Sequence, residues 1–122
     1  VLFRSHFSLV LKCRYQNFAA LLPGDLDREG LEELAAQKEA MQCDVVKVPH
    51  HGSRYSLVEE FYAICQPRAA IISVGNNQFG HPHEEVLDAL TGQGIQVYRT
   101  DRQGLVRCTS DGNCLRIDTY LN

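Results

Sequence analysis

The sequence lacks the features that would assign it to a membrane-embedded, fibrous or disordered class of protein. Its 122 residues contain no tryptophan, a single methionine and four prolines. Uninterrupted apolar runs such as Phe18–Leu22 and Ala69–Ile72 are far shorter than the ~20 residues that a membrane-spanning helix needs. Because 44% of the residues are apolar and 22% are charged, the composition predicts one soluble globular domain with a hydrophobic core.

A net positive charge and a regular spacing of cysteines are also missing. The formal net charge of -3 argues against a basic surface that neutralises many phosphates by itself. No C-x-x-C pair occurs, so the sequence predicts neither a zinc ribbon nor a disulfide framework, and we expect the cysteines to be small buried apolar side chains. Cys108 and Cys114 flank a predicted turn and are candidates to face each other. The chain has no initiator methionine and no signal-peptide pattern, so we expect it to be a piece of a longer protein.

The order of the predicted elements indicates a single α/β unit over residues 1–122. Alternating apolar residues at 9–15 predict a strand that turns into a second strand at 18–22, which Pro23-Gly24-Asp25 ends. Three helices are predicted: one at 28–42, one that begins with a capping box between Ser56 and Glu59, and one from Pro82 to about Thr91. Strands are predicted between them at 43–48, 69–74 and 95–99. A final hairpin is predicted to pair 105–109 with 114–120 across Asp111-Gly112.

Potential metal ligands follow the ends of these predicted strands. Asp25 follows one strand, His50 and His51 follow the next, and His81 lies in the loop after a third. In open α/β sheets, sites form beyond the carboxyl ends of the strands, so these side chains are predicted to converge. Carboxylate and imidazole are ligands of zinc and manganese. Two such ions can activate water and bind both the attacking and the leaving oxygen when a phosphoester is hydrolysed. They would also supply the positive charge that this acidic chain lacks.

Each of these residues also has a purely structural interpretation. Asp25 is a residue type that forms turns and caps helices, and His81 is a candidate cap for the third helix. In an extended chain, His50 and His51 point in opposite directions, which favours one ligand and one supporting or substrate-facing group without deciding which is which. His83 lies beside two glutamates and is predicted to be a surface residue.

The combination of motifs is more specific than its parts. The segments LPGDL at 22–26, DVVKVPHHGS at 44–53, IISVGNN at 71–77, GHP at 80–82 and YRTD at 98–101 occur in this order. Together they resemble the metallo-β-lactamase-like domain at the carboxyl end of ComEC-type DNA internalisation proteins. The resemblance extends from about residue 8 to about residue 106.

The resemblance implies an αββα sandwich with a site for two zinc or manganese ions. Asp25 corresponds to the aspartate that bridges the two ions, and His50 or His51 to the histidine that completes the second. His81 corresponds to a histidine that either ligates metal or contacts the substrate phosphate, so the implied catalytic residues are Asp25, His51 and His81. The resemblance further implies that Ser53, Ser73, Asn76 and Asn77 form hydrogen bonds to the substrate or to the ligands.

The resemblance also implies a function and a location for the parent protein. ComEC-type proteins form a channel in the bacterial cytoplasmic membrane for DNA uptake, and this domain, on the external side, is implied to be the nuclease that degrades the non-transported strand. The H-x-H-x-D-H element of the superfamily does not occur in the 122 residues. The chain is therefore predicted to be the carboxyl-terminal half of the domain, and its expected partners are DNA, the upstream half and the channel. No small-molecule cofactor is expected, and the isolated chain is expected to be inactive.

Two other functions are compatible with the same residues. One is a soluble metallo-β-lactamase-fold hydrolase of small phosphoesters or other esters. The other is a non-catalytic α/β binding module that keeps the fold without the metal.

Overall fold

Six strands form one mixed sheet in the computed structural model, which describes residues 2–5 and 8–121. The strands lie side by side in chain order, and the first two pairings are antiparallel while the remaining three are parallel. Their bounds are β1 Leu2–Ser5, β2 Ser8–Tyr15, β3 Phe18–Leu22, β4 Val45–Lys47, β5 Ala69–Ile72 and β6 Gln96–Arg99. The prediction of a mixed α/β architecture is confirmed. Because β3 to β6 are parallel, their carboxyl ends share one edge of the sheet.

Helical crossovers connect the parallel strands. The α-helices are α1 Arg28–Ala35, α2 Glu59–Cys65, α3 Glu84–Gly92 and the short α4 Thr100–Gln103, and 3-10 turns span Lys38–Met41, Pro49–Gly52 and Arg54–Ser56. The first three α-helices contribute buried side chains to one core, among them Leu31, Phe61 and Leu90. No helix within residues 2–5 and 8–121 is long and apolar enough to cross a membrane.

The helices pack on one face of the sheet. Leu21 of β3, Val46 of β4 and Ala70 of β5 are neighbours in register on this face, and each is fully buried. Alternate side chains of the same strands therefore point to the other face.

The other face of the sheet is partly uncovered, and we call it the open face. Leu9, Leu11 and Tyr15 of β2 lie on it with 58%, 41% and 54% of their surface exposed. Beside them, β3, β4 and β5 line an apolar groove of about 330 Å³, which Val106 and Cys108 close from one side. An apolar sheet face of this kind is typical of a surface that another element covers.

The predicted carboxyl-terminal hairpin is confirmed. It pairs β7 Val106–Ser110 with β8 Leu115–Thr119 as a separate two-stranded sheet. The Asp111 carboxylate stabilises the turn by accepting hydrogen bonds from the N–H groups of Asn113 and Cys114, each at 2.9 Å. Cys114 lies in this turn, whereas Cys108 is opposite Ile117. The expectation that the two cysteines face each other is therefore wrong, because the turn is longer than the Asp-Gly pair alone.

Three boundaries differ from the sequence prediction. The first helix ends at Ala35 instead of residue 42, because Lys38 adopts φ +50° and starts a 3-10 turn. The second helix has Val58 as its N-cap, so the predicted capping box is wrong; Ser56 lies inside a preceding 3-10 turn. The third helix begins at Glu84, two residues after Pro82.

The predicted burial of the cysteines is confirmed for two of the five. Cys43 and Cys65 are buried, whereas Cys13 and Cys114 are exposed and Cys108 is half-buried. The exposed pair lies on the open face and in the hairpin turn, where no helix covers the side chain. Two elements were also not predicted: the strand β1 and the short helix α4.

Candidate functional site

The turns after β3 and β4 meet at the shared edge of the sheet. The His50 N–H donates a hydrogen bond of 3.1 Å to the Gly24 carbonyl, which joins the two turns. Asp25 follows Gly24, its side chain is exposed, and its N–H donates to Ser8 Oγ at 3.1 Å. Gly24 has φ +65°, and a β-carbon there would overlap the Ser8 hydroxyl. The glycine therefore lets the chain approach β2 closely and directs Asp25 to the edge.

His50 and His51 both adopt the left-handed backbone conformation, with φ of 52° and 55°. The expectation of an extended chain at these residues is wrong. Adjacent non-glycine residues in this region are unusual, because each brings Cβ close to its own backbone at a cost of roughly 1–2 kcal/mol. The two rings nevertheless contact different segments: His50 Nδ1 lies 3.3 Å from Ser56 Oγ, and His51 Nδ1 lies 2.7 Å from the Ser73 carbonyl oxygen.

The contact of His51 determines which ring nitrogen is free. A carbonyl oxygen only accepts hydrogen bonds, so Nδ1 of His51 carries the proton and donates it to Ser73. In the neutral ring, Nε2 then has an available lone pair, which is the arrangement that supporting hydrogen bonds give to metal-binding histidines. His51 is exposed and, with Ser73, Asn77, His81 and Thr100, lines an open cavity of about 320 Å³.

His81 lies among three other rings. The distance between ring centroids is 5.7 Å to His50, 4.9 Å to His83 and 5.6 Å to Phe79, which stacks on it. Burial lowers the pKa of His81, and the neighbouring His83, His50 and His51 lower it further. The neutral imidazole is thus favoured, which keeps a nitrogen lone pair available at neutral pH.

The prediction that His83 is a surface residue is wrong. Only 8% of it is exposed, because it is the N-cap residue before α3 and turns inward while Glu84 and Glu85 face outward. Its Nδ1 accepts a 2.8 Å hydrogen bond from the Arg54 N–H, and its Nε2 donates a 3.0 Å hydrogen bond to the Phe79 carbonyl. Both ring nitrogens are used, so His83 connects the segment after β4 to the loop before α3 and has no free ligand atom.

Asn77 organises the loop that carries His81. Its Nδ2 donates to the carbonyls of Gly75 and His81 at 3.0 and 2.9 Å, and its Oδ1 accepts from the N–H groups of Phe79 and His81, each at 3.0 Å. These four bonds use the hydrogen-bonding capacity of the amide almost completely. Although Asn77 lines the cavity, its side chain therefore acts on the loop.

The other predicted polar residues occupy different positions. Ser53 is buried and its Oγ accepts a hydrogen bond from the Tyr55 N–H, which caps a 3-10 turn. Ser73 contributes its backbone carbonyl to His51, and Asn76 is exposed in the loop after β5. Among residues 2–5 and 8–121, no three histidine, cysteine, aspartate or glutamate side chains form a group that could hold a metal ion.

Two residues of the site were not assigned a role from the sequence. Thr100 lines the cavity, and its Oγ1 accepts from the Val74 N–H at 2.8 Å and lies 2.9 Å from the Val74 carbonyl. Phe79 is 74% exposed and stacks on His81. The sequence contains a signal for Phe79, because an aromatic residue in an otherwise polar loop is unusual. It contains no comparable signal for Thr100.

The fold and this edge define a class: a mixed α/β unit with an aspartate turn and a histidine cluster at the carboxyl ends of its parallel strands. No protein-family model matches the chain. It is 42% identical over 105 residues to ComE operon protein 3 of Bacillus subtilis, 33% over 102 residues to competence protein ComA of Neisseria gonorrhoeae, and 34% over 104 residues to recombination protein 2 of Haemophilus influenzae.

These matches cover 85%, 82% and 84% of the chain but only 14%, 15% and 13% of the three relatives. The chain belongs to the ComEC-type competence proteins and corresponds to a segment of them. It spans about one seventh of the length of these relatives.

Proposed function

We propose that the chain is the carboxyl-terminal half of a metallo-β-lactamase-like domain, which acts as a metal-dependent DNA phosphodiesterase in a DNA uptake protein. The observation that carries this proposal is the junction at the sheet edge, where the His50–Gly24 hydrogen bond and the His50–His81 ring contact bring three strand ends together. The name of one relative, competence protein ComA, supports a role in DNA uptake.

The side chains near the junction offer donor atoms of the types that metal sites use. Asp25 offers an exposed carboxylate, His51 offers Nε2, and His81 offers an imidazole ring whose pKa is lowered by burial. These oxygen and nitrogen donors suit zinc or manganese. Bound ions of this kind supply the positive charge and Lewis acidity that phosphodiester hydrolysis requires. We assign the remaining ligands to the upstream half of the domain.

The contacts of the two adjacent histidines favour His51 as the ligand and His50 as its support. His51 lines the cavity and is oriented by the Ser73 carbonyl at 2.7 Å, whereas His50 is half-buried and directs Nδ1 towards Ser56. Asn77 and His83 hold the loop in which His81 faces the cavity. In this assignment, His50 positions the turn and does not bind the ion.

The open face supports the assignment to half of a sandwich. Leu9, Leu11 and Tyr15 remain exposed there beside an apolar groove of about 330 Å³. A second sheet from the upstream half would bury these side chains, with a stabilisation of roughly 25 cal/mol per Å² of apolar area removed from water.

We further propose that the complete domain is attached to the membrane channel of its parent and lies on the external side of the cytoplasmic membrane.

The test uses the complete parent domain and Asp25→Asn. We expect DNA cleavage to fall by about 100-fold or more together with the bound metal, because the substitution keeps the size of the side chain but removes the charge that binds the ion. The control is Asp88→Asn, an exposed carboxylate on α3, which we expect to leave both measurements unchanged. Undiminished cleavage by Asp25→Asn in the presence of metal would contradict the assignment of Asp25 as a metal ligand.

Two further variants separate the histidines. We expect His51→Gln to lose metal and activity, and His50→Gln to retain metal with a smaller loss of activity. The reverse pattern would exchange the two roles. For the 122-residue chain alone we expect weak metal binding and no turnover, and tight stoichiometric binding of two zinc or manganese ions would contradict the division of the site between two halves.

A further inference from the structure

Two buried cysteines lie side by side away from the proposed metal site. Cys43 precedes β4 and Cys65 is the last residue of α2, and the Cys43 N–H donates a 3.0 Å hydrogen bond to the Cys65 carbonyl. Their exposed fractions are 8% and 0%. The backbone hydrogen bond therefore holds the two residues side by side, which is the first requirement for a covalent bridge between them.

The two side chains also share one environment. Both line the same cavity, and hydrogen bonding with Cys43, followed by burial, raises the pKa of Cys65. Within residues 2–5 and 8–121 no third metal-binding side chain joins them, and two thiols do not complete a zinc site.

A path from solvent reaches the pair. Cys43 and Cys65 line a polar cavity of about 270 Å³ together with Arg14, Asn17 and Asp44. Cys43 is the more exposed of the two residues, so we expect a reagent in the cavity to meet it first.

We propose that Cys43 and Cys65 form an intramolecular disulfide when the chain meets an oxidising small-molecule or protein disulfide. The Cys43 thiolate attacks one sulfur of the reagent and releases the other as a thiolate, which leaves a mixed disulfide. The Cys65 sulfur then attacks the Cys43 sulfur and releases the second reagent sulfur, which takes up the Cys65 proton. The pair loses two electrons, the reagent gains them, and the two protons leave with the reduced reagent.

The surroundings of the other cysteines make this pairing selective. Cys13 lies on the open face opposite Ala20, and Cys108 is opposite Ile117 in the hairpin. Because a disulfide requires two thiols held within a narrow range of separation, the native fold favours Cys43–Cys65. This proposal rests on no part of the proposed function, so the failure of either leaves the other intact.

The experiment oxidises the 122-residue chain with glutathione disulfide at low protein concentration and maps the linked peptides by mass spectrometry without reduction. We expect the Cys43–Cys65 peptide to exceed any other intramolecular pair by about 10-fold or more. In guanidinium this preference should disappear, because pairing then follows loop length. A Cys43–Cys65 yield no higher in the native chain than in guanidinium overturns the proposal.

Two controls complete the test. Cys65→Ser should abolish the intramolecular product, whereas Cys13→Ser, which removes an exposed thiol, should leave it unchanged. Oxidation should also raise the melting temperature by about 10 °C, since the bond closes a loop of roughly 20 residues, and a reductant should reverse the rise. A fall in melting temperature on formation of the bond contradicts the native geometry proposed for the pair.

Discussion

Gly52 is the position at which a single added methyl group should disturb both the stability and the site of this protein. Its φ is +84°, and a β-carbon would lie 2.6 Å from Pro82 Cβ and 3.0 Å from Pro82 Cα. Its carbonyl also accepts a 2.9 Å hydrogen bond from the His83 N–H. The added carbon would therefore collide with the backbone and the ring of Pro82, in the loop that carries His81. Neither group moves easily.

The expected cost of Gly52→Ala has two parts. The left-handed conformation costs a non-glycine residue roughly 1–2 kcal/mol, and forcing a methyl group into a packed contact costs roughly 1–3 kcal/mol. We expect the free energy of unfolding to fall by about 2–5 kcal/mol. At an m-value of about 1–2 kcal/mol/M, the urea midpoint should fall by about 1 M or more.

Urea unfolding followed by far-ultraviolet circular dichroism provides the assay, since the chain has no tryptophan. Gly92→Ala is the matched control: it lies at the end of α3, has no atom within 4 Å of the added carbon and has no positive φ. We expect it to be neutral or stabilising by up to about 1 kcal/mol. A midpoint for Gly52→Ala within about 0.3 M of the parent chain would refute the reasoning.

Three other predictions concern single polar side chains. Asp44→Ala should lower the free energy of unfolding by about 1–3 kcal/mol, because the buried Ala19 N–H now donates to the carboxylate at 2.9 Å and would lose its acceptor. Asp44→Asn should lower it less, and equal urea midpoints for the two variants would contradict this. The hydrogen-bonded Arg99 guanidinium lowers the pKa of Asp101 from 3.8, so this ion pair stabilises the fold above about pH 4 and is lost as pH falls. The urea midpoint of Asp101→Asn should therefore change less than that of the parent chain between about pH 6 and about pH 3, and an identical change would count against it. Asn77→Ala should speed hydrogen exchange of the two loop amides that its side chain binds by about 10-fold or more, whereas unchanged exchange would show that the loop is held by other contacts.

The strands and the final hairpin were predictable because their signals are local. Alternation along β2 and the Pro-Gly turn after β3 depend only on neighbouring residues. The positions of Asp25 and His81 at the sheet edge followed from the polarity of the strands, which crossover connections determine. Local patterns therefore predicted which turns lie at this edge of the sheet.

The inner geometry of the site was not predictable because it depends on contacts between distant segments. The backbone of His50 bonds to Gly24, 26 positions earlier, and the ring of His83 bonds to Arg54, 29 positions earlier. Periodicity carries no information about such contacts. The capping box at Ser56 failed for a local reason: Ser56 lies in the 3-10 turn before Val58, the N-cap of α2, and its hydroxyl lies 3.3 Å from His50 Nδ1.

Under the proposed function, the two consecutive left-handed histidines place selection for stability in conflict with selection for activity. Glycine adopts φ near +50° without the penalty that histidine carries at His50 and His51. A library selected only for thermal stability should therefore accumulate glycine or asparagine at both positions, whereas one selected for DNA uptake should retain the imidazoles. The residues that weaken this turn would then be the ones that give it a use, a relation that recurs where a strained backbone supports a functional site.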